Sequence, residues 1–168
     1  MQAIRVETEP IHARDVLQDG LFAGLIGGLG MIAIYFLYDV ATASPLRTPT
    51  VLGTLLFQGV EAARSARPEL AVAIAYNGIH VLAWLAAGML CAYLVQLVEH
   101  HPRSWYLVFV GAAFVALAAF LLDAAVNVTG LPRLHLWVGG FVGVSAMGAF
   151  LVWRHPAVLR RAGVIWKD

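Results

Sequence analysis

Residues 71–98 read AVAIAYNGIHVLAWLAAGMLCAYLVQLV, and they contain no Asp, Glu, Lys or Arg. A run of about 18 or more predominantly apolar residues is long enough to cross a hydrocarbon core roughly 30 Å thick as a helix. Residues 21–38, 104–122 and 134–153 are equally free of those four charged types. The fold class that follows is an all-α integral membrane protein, a four-transmembrane-helix bundle. Its spans are predicted at 20–43, 71–98, 104–128 and 134–153. Residues 1–19 form an N-terminal segment and 154–168 a tail, all within one membrane domain covering 1–168.

Composition agrees. Hydrophobic residues make up 61% of the chain and charged ones 12%, where a soluble domain carries about 25% charged. A net charge of +1 gives no electrostatic footprint for nucleic acid. Cys91 is the only cysteine, so one chain can form no internal disulfide and no thiolate cluster around zinc or iron. Phosphate loops, HExxH, nucleophile elbows and CxxCH haem attachment are all missing from the sequence, and no inverted repeat of broken helices suggests a transporter. Ten Arg against one Lys, with abundant Ala, Gly and Val, is a composition associated with GC-rich bacterial genomes.

Ala41-Thr42-Ala43 before Ser44 resembles a signal-peptide cleavage site. The acidic character of residues 1–20 and the length of the apolar run both favour a retained helix. Orientation follows from Lys and Arg in the connections. With the N-terminus inside, the inner segments hold Arg5, Arg14, Arg103, Arg154, Arg160, Arg161 and Lys167, and the outer ones Arg47, Arg64, Arg67 and Arg133. The excess places both termini in the cytoplasm of a bacterial inner membrane.

The connection at 44–70 holds an additional helix on the outer face. Thr48 is read as its N-cap and Pro49 as its first helical residue, where the missing N–H costs nothing. Val51, Leu52, Leu55, Leu56 and Phe57 make an apolar stripe over 49–66. That segment is too short to span, so an interfacial or shallow re-entrant helix is expected. Gly20, Gly24 and Gly28, and Gly139 and Gly143, have the small-xxx-small spacing that lets helices approach closely.

Polar residues inside the spans mark where chemistry would reside. Asp39, Asn77, His80, Asp123, Asn127 and His135 all fall on the outer side of the bilayer. Asn77 and His80 share a face with Trp84, as do Asp123 with Asn127. Ionised groups at depth are costly, so His80 and Asp123 are expected to turn inward and pair. Three readings stand side by side. The cluster serves packing alone, with no cofactor; or His80 and His135, with Asp39 or Asp123, hold a metal ion or the iron of haem b; or it exchanges protons with a substrate such as a quinone. Lacking soluble mass and catalytic motifs, the chain is expected not to be an enzyme on its own. It is read as a non-catalytic subunit or scaffold of a larger, respiratory or redox, membrane complex, with the bilayer and other membrane subunits as partners. A small metal- or haem-binding redox protein is the alternative.

Overall fold

The computed structural model describes residues 11–42, 44–127 and 129–159, all helix and connection with no strand among them. Arg5, Arg160, Arg161 and Lys167, which weighed in the orientation, and Ala43 of the apparent cleavage site lie outside the described residues. Six α-helices follow in order: α1 Ala13–Ala41, α2 Arg47–Gln58, α3 Val60–Arg64, α4 Leu70–His100, α5 Tyr106–Asn127 and α6 Leu134–Arg154. A short 3₁₀ turn, Pro102–Trp105, leads into α5. Among the described residues, α1, α4 and α6 are long and apolar enough to cross a membrane.

α1 begins at Ala13, earlier than the charge-free run. The reason is local. Asp15 sits in the first turn, where the positive end of the helix dipole favours a carboxylate, and Asp19 finds partners on α6 that allow it to be buried. The helix therefore extends through charges that the apolar run alone would place outside it.

Glycine sets the spacing of the bundle. Gly20 faces Met89 and Gly24 faces Leu85, so rising numbers on α1 meet falling numbers on α4 and the two helices run antiparallel. A Cβ on Gly24 would lie 2.7 Å from the Leu85 Cα, and one on Gly88 would strike the backbone of Gly20 and Gly24. On the other flank Gly27 approaches the Gly143 backbone, and Gly139 receives the Tyr35 ring. The Trp84 ring fills the space left by Gly27, Gly28 and Gly143. These small-residue seams are thus used within the chain, with α1 as the axis that α4 and α6 both pack against. Without a water-driven force between spans, such close backbone approach is what supplies attraction.

α5 differs. Among the described residues its packing against the other long helices is sparse, and Phe109, Val115, Leu117, Phe120 and Leu121 are each more than half exposed. Among the described residues, Gly111 near its start faces Leu94 of α4, and at its last turns Val126 is buried beside Tyr35, Val51, Leu52 and Leu131.

The helix in the first connection is real but its details depart from expectation. It starts at Arg47 after Leu46 in a left-handed conformation, so Thr48 lies inside the helix and is not its N-cap. It also breaks at Gly59, whose φ of 90° is open to glycine and strained for other residues. Thr48 through Thr54 are buried while Leu56 and Phe57 are exposed. The expected single stripe is therefore split, with Val51 and Leu52 in the core and the other end on the surface.

Candidate functional site

α2 covers the end of the bundle where α1 finishes and α6 begins, and the polar side chains there are tied together through it. Asp39, 1% exposed, is the last turn of α1. Its Oδ2 accepts the Thr48 backbone N–H at 2.8 Å, and its Oδ1 accepts the Thr48 hydroxyl at 2.6 Å. α2 has no side-chain cap of its own. The carboxylate of another helix does that work, satisfying a free N–H and placing negative charge at the positive end of the α2 dipole. This explains how a carboxylate tolerates such burial. The cost of removing it from water is offset by two charge-assisted hydrogen bonds.

The same hydroxyl meets His135, at the start of α6, with Oγ1 and Nε2 3.1 Å apart. Since the Thr48 proton is given to Asp39, its oxygen is left to accept, and Nε2 carries the proton. His135 is enclosed on its faces as well. Tyr38 stacks on it at a centroid distance of 3.9 Å and 3° between planes, and Tyr35 meets it edge-on at 5.8 Å. The remaining nitrogen, Nδ1, is buried with no hydrogen-bond partner among the described residues. One hydroxyl therefore links α1, α2 and α6.

A second threonine completes the attachment. The Thr50 oxygen accepts the Glu69 backbone N–H at 3.1 Å and stands 3.3 Å from the Glu69 carbonyl, which it can donate to. Glu69 is the residue at which α4 begins. α2 is thus bonded to the ends of all three helices of the bundle, by the side chains of its second and fourth residues.

His80 belongs to a separate aromatic group. Trp84, one turn further along α4, donates its indole N–H to His80 Nε2 at 2.9 Å. Tyr76 stacks against the imidazole at 5.6 Å, and Tyr35 approaches it at 6.3 Å. Tyr35 stands against both imidazoles, so the ring of α1 lies where a shared ligand of His80 and His135 would be sought. Asn77 and Asp39 line a small cleft with Ile32, Tyr35 and Pro49, of about 50 Å³ open to water. That is room for one or two water molecules and not for a cofactor.

The expected His80–Asp123 pair is not made. Asp123 turns to the rim, accepting Arg133 Nη1 at 3.1 Å and the Trp137 indole N–H at 3.0 Å. Local geometry decides this: Arg133 in the short connection between α5 and α6, and Trp137 in the first turn of α6, both reach Asp123. Asn127 is exposed. Of the six residues singled out from sequence, Asp39 and His135 are brought together, Asn77 shares the cleft with Asp39, and His80 is joined to the group only through Tyr35. Among the described residues no group of three or more His, Cys, Asp or Glu side chains could hold a metal ion.

The opposite end of the bundle holds a cluster that sequence reasoning passed over. Asp19 on α1 is buried, and its Oδ1 accepts Arg154 Nε at 2.9 Å. His155, just past α6, lies with Nε2 3.1 Å from Asp19 Oδ2 and Nδ1 2.9 Å from Glu99 Oε2 on α4. In the sequence His155 is simply a polar residue just past the last apolar run. Its partners lie 136 and 56 residues away, and no local pattern connects them. Asp19, the last charge before the apolar run that begins at residue 21, was the available signal. Set beside family models, curated proteins and solved structures, the chain finds no match.

Proposed function

We propose that the protein is a non-catalytic integral-membrane subunit or scaffold of a larger membrane complex. In this reading α1, α4, α5 and α6 are four spans, α2 lies at the outer membrane surface, and both termini face the cytoplasm of a bacterial inner membrane. The observation that carries it is the use made of Thr48, whose hydroxyl bonds Asp39 and whose oxygen faces His135. Among the described residues, the side chains best suited to chemistry are engaged in attaching one helix to two others, and the cleft that Asp39 and Asn77 line is small. α5 adds support, since its bare apolar flanks need lipid or another membrane protein to cover them. Respiratory or other redox membrane complexes are the class of partner.

A metal- or haem-binding redox protein is the second reading, favoured by the buried His135 Nδ1 that lacks a hydrogen bond. Purification in mild detergent, followed by native mass analysis, an absorption spectrum and metal analysis, separates the two. The scaffold reading expects assembly with other membrane subunits in fixed ratio, and no metal or chromophore that depends on His80 or His135. One metal or haem per chain, lost in His135→Gln or His80→Gln, would replace it with the second reading.

A further inference from the structure

The cluster at the end opposite α2 joins three helices through one imidazole. Asp19 comes from α1, Glu99 from α4, and Arg154 with His155 from the end of α6. The side chains of Asp19, Glu99 and His155 are 5%, 17% and 13% exposed, whereas that of Arg154 is half exposed. Both ring nitrogens of His155 face a carboxylate oxygen at hydrogen-bond distance. An ionised carboxylate only accepts, so both bonds form together only when both nitrogens carry protons. The imidazolium also balances the charge: two carboxylates face one guanidinium and one imidazolium. A neutral ring keeps one bond: with the proton on Nε2 it stays with Asp19, the more deeply buried of the two carboxylates, and turns the Nδ1 lone pair toward Glu99.

We propose that His155 is the proton-dependent hub of a clasp that holds α1, α4 and α6 together at this end and releases α4 from α6 when the ring loses its proton. The other titratable groups nearby do not substitute for it. Asp15, one turn before Asp19 on α1, is exposed, and His100 on α4 is engaged through Nδ1 with the Gln96 carbonyl at 2.7 Å. His101 is exposed beyond it. Direct contact between α4 and α6 is slight, each packing instead on α1, so little else holds their ends to each other. Gln96, buried one turn before His100 with its Nε2 unpartnered, marks the α4 side of this end as under-bonded.

The sign is fixed by the bonding. The doubly protonated ring holds both carboxylates and the clasp is closed; when rising pH removes one of its protons the second bond is lost and the clasp loosens. Glu99→Gln gives the discriminating variant. Its carboxamide can donate to a neutral Nδ1 while Nε2–H still serves Asp19, so the clasp should stay closed at either pH.

The test uses the full chain in lipid nanodiscs, in a Cys91→Ala background, with spin labels on exposed Glu99-side and α6 neighbours at Leu90 and Val152, and distances read by pulsed electron resonance. A second pair at Val40 and Leu134, both exposed at the α2 end, serves as a reference. The expected result is a narrow Leu90–Val152 distance at about pH 6 that lengthens and broadens at about pH 9, with the reference pair unchanged. Glu99→Gln should remain narrow at both. An unchanged Leu90–Val152 distance across that range, or a Glu99→Gln variant that moves as the parent does, overturns the proposal. Should Glu99→Gln fail to fold, the parent pH series alone still decides it.

Discussion

The two ends of the bundle solve the same problem with different chemistry. At the α2 end a buried carboxylate is satisfied by a helix N-terminus and a hydroxyl, and the neighbouring imidazole is walled in by Tyr35 and Tyr38. At the opposite end a buried carboxylate is satisfied by two side chains that can carry positive charge, one of them half exposed to solvent. The first arrangement depends on backbone placement and is buried. The second depends on charge and stays in touch with it. A buried carboxylate in an apolar helix is therefore not one kind of feature: its neighbours decide whether it acts as a cap or as part of an ion cluster.

The sharpest way to break the contrast is Asp39→Ala. It leaves the buried Thr48 N–H and hydroxyl without their acceptor, and each such group costs about 1–3 kcal/mol. The expected loss is about 2–5 kcal/mol, with α2 detaching first. Unfolding in detergent micelles measures the loss, and hydrogen exchange at Thr48 and Thr50 locates it. Exchange confined to α5 would show that Asp39 is not what holds α2.

Asp19→Ala should do less, about 1–2 kcal/mol, because half-exposed Arg154 can turn to water and His155 keeps Glu99. Its parent contribution should also shrink with added salt, as that of Asp39 should not. Equal salt dependence at the two ends would erase the distinction drawn between them.

Much of this fold could be read from the runs of apolar sequence. The helices at 71–98 and 134–153 match α4 and α6 within a few residues, because an apolar run of that length has few other stable forms. The glycine spacing pointed to close packing, and Gly24, Gly28 and Gly143 lie in such seams. The start of α1 was misjudged because charge was treated as a boundary, and Asp19 is a charge that tertiary partners accommodate. The site was harder to read. His80 and Trp84 are a local pair that spacing alone brings to one face, whereas Asp39, Thr48 and His135 meet only once α2 folds back over α1. Depth along a helix located the polar residues but not their direction around it, which is why Asp123 was paired with His80 when it bonds Arg133 and Trp137.

Thr48→Val sharpens the comparison from the side of the hydroxyl. Valine keeps the shape and the backbone N–H to Asp39, but removes the donor to Oδ1 and the acceptor for His135. The expected cost is about 1–2 kcal/mol, and Thr48→Ser should recover most of it. If serine fails to rescue, the methyl and its packing matter more at this site than the hydrogen bonds.

The smallest effect is expected at Asp123. Its carboxylate accepts two bonds, yet both partners lie in the same turn region and the Arg133 side chain is half exposed. Removing one partner there strands nothing in a dry site: Arg133 can reach water, and the Trp137 indole lies on an exposed residue. Exposed ion pairs contribute about 0–1 kcal/mol, so Asp123→Ala should shift unfolding by no more than about 1 kcal/mol. Asp39→Ala, the same substitution in a site with two buried donors, should exceed it severalfold. Measured side by side in one detergent, a cost at Asp123 equal to that at Asp39 would mean that α5 is held to α6 far more firmly than its exposed flanks suggest, and that Asp123 faces a drier environment than the rim.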